Sequence, residues 1–168
     1  SAMRVSSIGW LFDEEEMVLQ KAFETAQITH NHEEGIMGAQ AVALGVYLAR
    51  KGSTKEQIKE RLESTFGYSL GRSLKKIRPK YHFDVTCQGS VPEAIIAFLE
   101  SEDFEDAIRN AISLGGDADT QACISGALAE AYFLSIPKSI KEFVISKITP
   151  EMLMVLNDFH QRVRITLN

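Results

Sequence analysis

Sulfur, proline and tryptophan are scarce in this chain of 168 residues, which has two cysteines, four prolines and one tryptophan. Cys87 and Cys123 stand in no metal-binding or redox spacing, which excludes a disulfide-stapled scaffold and a cysteine-ligated zinc module; both are expected as small buried side chains. No stretch approaches the roughly 20 apolar residues of a membrane-spanning helix. Ser1-Ala2-Met3-Arg4-Val5 also lacks the apolar run of a secretory signal, so the expected compartment is the cytoplasm. Positive charge is in short supply. Eighteen Lys and Arg against 23 Asp and Glu give a net charge of −5, which argues against wholesale binding to nucleic acid or to an anionic membrane. The cations that exist are concentrated between Arg50 and Lys80, and their densest run, Arg72, Lys75, Lys76, Arg78 and Lys80, contains no acid. Apart from Tyr81 no aromatic interleaves with them, so this stretch reads as a solvated face rather than a base-stacking surface.

What the chain does have is helical patterning. Its length predicts about one domain, and 45% hydrophobic residues suffice for an independent core. Acids at 14–16 followed by Val18, Leu19, Ala22, Phe23 and Ala26 predict a helix over 14–28. The Ala, Gly, Val and Leu run from Glu33 to Ala49, closed by Arg50-Lys51-Gly52, predicts a second helix; Gly35, Gly38 and Gly45 inside it imply that another backbone approaches closely. Ser53 and Glu56 read as a capping box opening a third helix that stops at Gly67. A short helical piece over 70–77, an extended segment over 81–86, and a helix with Ser90 as cap and Pro92 in its first turn follow. Further helices are predicted over 103–114, through 122–131, and from Pro137 and Pro150, the last capped by Thr149. Trp10, Phe12, Phe23, Phe98 and Phe133 read as core. The expected fold is all-α, with eight or nine helices and no strand pair.

The most informative stretch is Gly115-Gly116-Asp117-Ala118-Asp119-Thr120, two carboxylates and a hydroxyl beside two glycines that admit positive φ. Hard oxygen donors on a tight turn suit Mg²⁺, Mn²⁺ or Ca²⁺ and not zinc, and the dipole of the following helix keeps the acids ionised. The same residues also read as an ordinary helix start, with Asp117 or Asp119 as the cap. An EF-hand is excluded, because nothing after Thr120 supplies the rest of its twelve-position loop.

Gly115 to Thr120 followed by an Ala and Gly-rich helix resembles the C-terminal metal signature of the ADP-ribosylglycohydrolase family. Thr29-His30-Asn31-His32-Glu33-Glu34-Gly35 with Gly38-Ala39, and Ser90-Val91-Pro92-Glu93-Ala94, resemble that family's other segments in the same order and spacing. Ser1-Ala2-Met3-Arg4-Val5 resembles the end of its glycine-rich substrate loop. The resemblance implies a compact orthogonal multi-helix bundle and a hydrolase that removes ADP-ribose from a protein side chain or small conjugate with two Mg²⁺ or Mn²⁺ ions. It makes Asp117, Asp119 and Thr120 metal ligands, and it places Ser1, Met3, Arg4, His30 and His32 along the substrate cleft. The family's Thr-Asp-Asp cluster and early acidic motif have no counterpart after Ser1, so residues 1–168 are expected to be a single N-terminally truncated domain with half of the ligands. Two other readings stay open: a catalytically silent ADP-ribose-binding module and a helical interaction domain. No catalytic acid or base is assigned, since a carboxylate bound to a divalent ion is a poor proton acceptor. Exposed apolar helix faces are expected to promote self-association.

Overall fold

The structure, a computed structural model, describes residues 1–166, with side chains through Val163. Ten α-helices and one 3-10 turn make up the regular structure of the described residues, and none of them is a strand. The chain opens with the 3-10 turn Ala2–Arg4 and α1, Ser6–Leu11; α2 is Glu15–Gln27, α3 Glu33–Arg50, α4 Lys55–Phe66 and α5 Leu74–Ile77. Then follow α6, Cys87–Leu99, α7, Phe104–Ser113, α8, Ala118–Phe133, α9, Lys138–Ile145, and α10, Pro150–Thr166. No helix among the described residues is long and apolar enough to cross a membrane.

Helix α3 is the axis of the molecule, and α1, α2, α4, α6 and α8 all pack on it. Its glycines explain how. A Cβ on Gly38 would lie 2.9 Å from Cys87 Cβ on α6, and one on Gly45 2.7 Å from Leu128 Cδ2 on α8, so both positions admit neighbouring helices at short range. Helix α1 seats its own Gly9 against Ala43 and Val46 in the same way. The buried Arg50 guanidinium then ties α1 down, its Nε donating to Gly9 O at 3.0 Å and an Nη to Phe12 O at 2.7 Å. Phe98 of α6 is fully buried at the centre and meets Tyr132 edge-on. The Lys55 ammonium sits over the rings of Phe98, Tyr132 and Phe133 and donates to Ser101, stitching α4 to the C-terminal ends of α6 and α8.

Several local expectations need correction. The third helix opens one residue later, with a capping box formed by Thr54 and Gln57 in place of Ser53 and Glu56. Helix α6 begins at Cys87, not after Ser90, and Pro92 lies inside it. Its start is built by Asp84, whose Oδ1 accepts from Thr86 N and Thr86 Oγ1, while Thr86 Oγ1 accepts from Gly89 N; that turn nucleates the helix a full turn before the proline. The short helix after Gly67 is only Leu74–Ile77, and α1 has no counterpart in the sequence reading. The cysteines are not both buried: Cys87 is half-buried between α3 and α6, whereas Cys123 is exposed on α8. Of the five predicted core aromatics only Phe98 is fully buried; Trp10, Phe12, Phe23 and Phe133 are half-buried.

Candidate functional site

The acid loop is continuous with α8. Gly115 and Gly116 have φ of 74° and 66°, Asp117 is the N-cap, and Asp119 and Thr120 lie in the first helical turn rather than on a free turn. The cap is unusual because the Asp117 side chain makes no capping hydrogen bond, leaving its carboxyl for other partners. That carboxyl lies beside the Asp119 carboxyl. This contact, together with the backbone N–H groups of Thr120 and Asp119 itself, holds the exposed Asp119 carboxyl below the ordinary aspartate value. Two acids crowded at a helix N-terminus, one kept ionised by that end's donors, form a strongly anionic point.

The 3-10 turn at the start of the chain is the keystone beside it. Thr120 Oγ1 donates to Met3 Sδ at 3.3 Å, and Cys123 Sγ, one turn further along α8, donates to Met3 O at 3.3 Å. Ser1 Oγ donates to Gly35 O at 2.7 Å, and Arg4 donates to Thr25 O and to Thr29 Oγ1 at 2.9 and 2.6 Å. His30, exposed, shares a 2.8 Å hydrogen bond between Nδ1 and Thr29 Oγ1 and lies 3.4 Å from the Ser1 amine. The positive charge of that amine, then desolvation, then Arg4, lower its pKa, which favours the neutral imidazole. The turn thus joins Ser1, Met3, Arg4, His30 and Thr120, drawn from opposite ends of the sequence, in one neighbourhood. His32 is not part of this set of contacts: it is the N-cap of α3, its Nδ1 accepting from Glu34 N at 3.3 Å.

Three residues that the sequence reading did not single out complete the surroundings. The segment after Lys80 has no strand but runs against the acid loop, such that a Cβ on Gly116 would lie 3.0 Å from Tyr81 Cε1 and 3.2 Å from His82 O. Gln121, fully buried in the first turns of α8, donates from Nε2 to the Tyr81 hydroxyl, and its Oε1 has no partner. Burial raises the Tyr81 pKa, and the carboxylates of Asp84, Glu93 and Asp117 raise it further against the lowering contact with Gln121, so the phenol stays protonated as a donor. Asp84 is held low by donors on Thr86. Only the tyrosine's position next to a basic run hinted at this wall.

The basic run itself is divided. Arg72 makes a two-point ion pair with Glu93, and Arg78 donates to Ser113 and Asn110 on α7, whereas Lys75, Lys76 and Lys80 are exposed.

No group of three or more His, Cys, Asp or Glu side chains among the described residues is arranged to hold a metal ion. The chemistry of the donors present still fits a hard cation: two carboxylates in contact, the Thr120 oxygen with its lone pairs free while its hydrogen goes to Met3, and an unpartnered buried amide oxygen at Gln121.

The described residues form an all-helical bundle with an acid pair at the N-terminus of α8, flanked by the Ala2–Arg4 turn. The ADP-ribosylglycohydrolase family model matches residues 1–149, and the chain belongs to that family. Among curated proteins it is 30% identical to an ADP-ribosylhydrolase ARH3 of Gallus gallus over 79% of this chain and 48% of that protein. It is 26% identical to an uncharacterized protein of Archaeoglobus fulgidus over 97% of this chain and 59% of that one. An ADP-ribosylarginine hydrolase Tri1 of Pseudomonas putida is 27% identical over 64% of this chain and 30% of its own length. Among solved structures, an ADP-ribosylglycohydrolase-related protein complex superposes with a TM-score of 0.63 at 28% identity, over 78% of this chain and 49% of that one. The chain spans about half the length of the curated relatives it matches.

Proposed function

We propose that this chain carries the C-terminal share of the site of a hydrolase that cleaves the bond between ADP-ribose and its carrier. The observation behind this reading is the contact between Asp117 and Asp119 at the N-terminus of α8, with Thr120 beside them and Met3 seated against Thr120. In this reading Asp117, Asp119 and Thr120 hold Mg²⁺ or Mn²⁺, which supplies concentrated positive charge for orienting oxygen-rich ligands. The chain's own groups do the rest. Ser1, Met3 and Arg4 position the turn that faces the ligand, His30 stands at its rim as a neutral hydrogen-bonding group, and the Tyr81 hydroxyl offers a protonated donor. Phe83, exposed and with its backbone against Gly116, adds an apolar side chain to this neighbourhood.

Two measurements test the proposal. Electron paramagnetic resonance should detect Mn²⁺ bound to the chain and lose that signal in Asp119→Asn; an unchanged signal in the variant removes Asp119 from the site. Supplying the chain with the remaining portion of the relatives' length should yield release of ADP-ribose from an ADP-ribosylated arginine or serine peptide, abolished by Asp117→Asn. Binding of ADP-ribose by calorimetry with no release in that assembly would favour the silent binding module.

A further inference from the structure

At the opposite end of α8 the helix presents a different carboxylate. Glu130 lies 13 residues after Asp117, about 20 Å away along the helix axis. It lines a cavity of about 730 Å³, open on one side to solvent, between the C-terminal end of α8, α9, α10, Trp10 of α1 and Phe104 of α7. That volume falls within the range of about 300–1,000 Å³ typical of small-molecule sites. Ile140, Val144, Ile148 and Leu156 supply the apolar walls. The wall from α10 lies beyond the residues that the family model matches, and the cavity is separate from the acid loop.

The polar groups in this cavity are few and unequal. The Glu130 side chain is half-buried and has no hydrogen bond or ion pair among the described residues. Desolvation raises its pKa, while the more exposed His160 and Lys141 lower it through charge alone. A half-buried carboxylate that makes no hydrogen bond gains from a cation that arrives with its own apolar cover, in competition with Lys141 and His160. Trp10 and Phe104 line the same cavity, and aromatic side chains are the groups that attract an ammonium ion. An anionic ligand would instead meet Glu130 as a repulsive charge at the most buried polar position.

We propose that the cavity between α8, α9 and α10 is a second binding site, which takes an amphiphilic amine or quaternary ammonium compound, its cationic head on Glu130 and Trp10 and its hydrocarbon portion along α9 and α10.

Trp10 is the sole tryptophan of the chain, so its emission reports occupancy directly. The probe is octyltrimethylammonium below its micelle-forming concentration, with octanoate as the anionic counterpart. The expected result is a saturable change in Trp10 emission with the ammonium compound and none with octanoate. Glu130→Gln should weaken binding about tenfold, the effect of losing one charged contact. Lys141→Met, which removes a competing cation, should tighten it. Val144→Phe on the exposed side of α9 should block the response without disturbing the core. A flat titration, equal binding of octanoate, or reversed signs for the Glu130 and Lys141 variants would overturn the proposal, as would undiminished binding in Val144→Phe. Manganese binding at Asp119 is read separately, so failure here leaves the acid-loop reading untouched.

Discussion

The two ends of α8 carry acids in opposite states. At its start Asp119 is exposed, lowered in pKa by the Asp117 contact and by backbone donors, and linked through Thr120 to a turn that arrives from the other end of the sequence. At its finish Glu130 is half-buried, raised in pKa by desolvation, and set in a largely apolar cavity that also holds Lys141 and His160. Both are carboxylic acids on the same helix. The difference lies in where each sits relative to the unsatisfied N–H groups of the helix and to bulk water, which suffices to make one acid a standing anion and the other an acid whose charge is costly.

The largest expected effect falls near the later end. Phe98→Ala, which empties the fully buried site packed on Tyr132, should cost about 4 kcal/mol in chemical denaturation. Next is the acid end. Gly116→Val places a β-branched side chain at a φ of 66° and against Tyr81, His82 and Phe83, and should cost about 3 kcal/mol while weakening Mn²⁺ binding. Gln121→Leu keeps the volume, removes the donor to Tyr81 and also removes the orphaned amide oxygen; stability should change by less than about 1 kcal/mol, read as a small shift in the denaturation midpoint.

The smallest effect sharpens the contrast most. Because the folded-state pKa of Glu130 is raised, the folded protein binds more protons there than the unfolded chain does between the ordinary glutamate value and the raised one. The Glu130 carboxyl therefore weakens the fold as pH rises through that interval. Glu130→Gln should raise the melting temperature at neutral pH and leave it unchanged below pH 4. Asp119→Asn should show the opposite trend, losing at neutral pH a small stabilisation that vanishes on acidification. Melting curves at several pH values check both, and parallel behaviour of the two variants would erase the distinction between the ends.

Much of this was legible from spacing alone. Helices α2, α3, α7 and α10 lie close to where apolar patterning and terminal acids, glycines and prolines put them, α3 because its small and apolar residues run almost unbroken between clear ends. Helix α1 was not legible, since six residues hold too few periods and no side chain caps it. For the beginning of α8 the sequence left two readings open, a metal-binding turn and a helix start capped by Asp117 or Asp119, and the structure has Asp117 as the cap with Thr120 in the first turn. Gln121, though polar, is fully buried, and only Tyr81, forty positions away, shows why. The acid loop, its glycines and the small turn at Ser1–Arg4 were recognisable as motifs, but their meeting through Thr120 and Met3 is a tertiary fact. Glu130 gave no signal at all: its burial depends on α9 and α10 folding back over the end of α8.

The contact between Thr120 and Met3 has a consequence for how the molecule ages. A thioether accepts a hydrogen bond weakly, and Met3 is 44% exposed, so peroxide can reach its sulfur. Oxidation places a polar S=O group where the hydroxyl now meets a soft sulfur, and the sulfoxide competes for the Thr120 hydrogen far more strongly. A reductase that restores the sulfide restores the original contact, which gives the turn a chemical memory of oxidant exposure that neither carboxylate possesses.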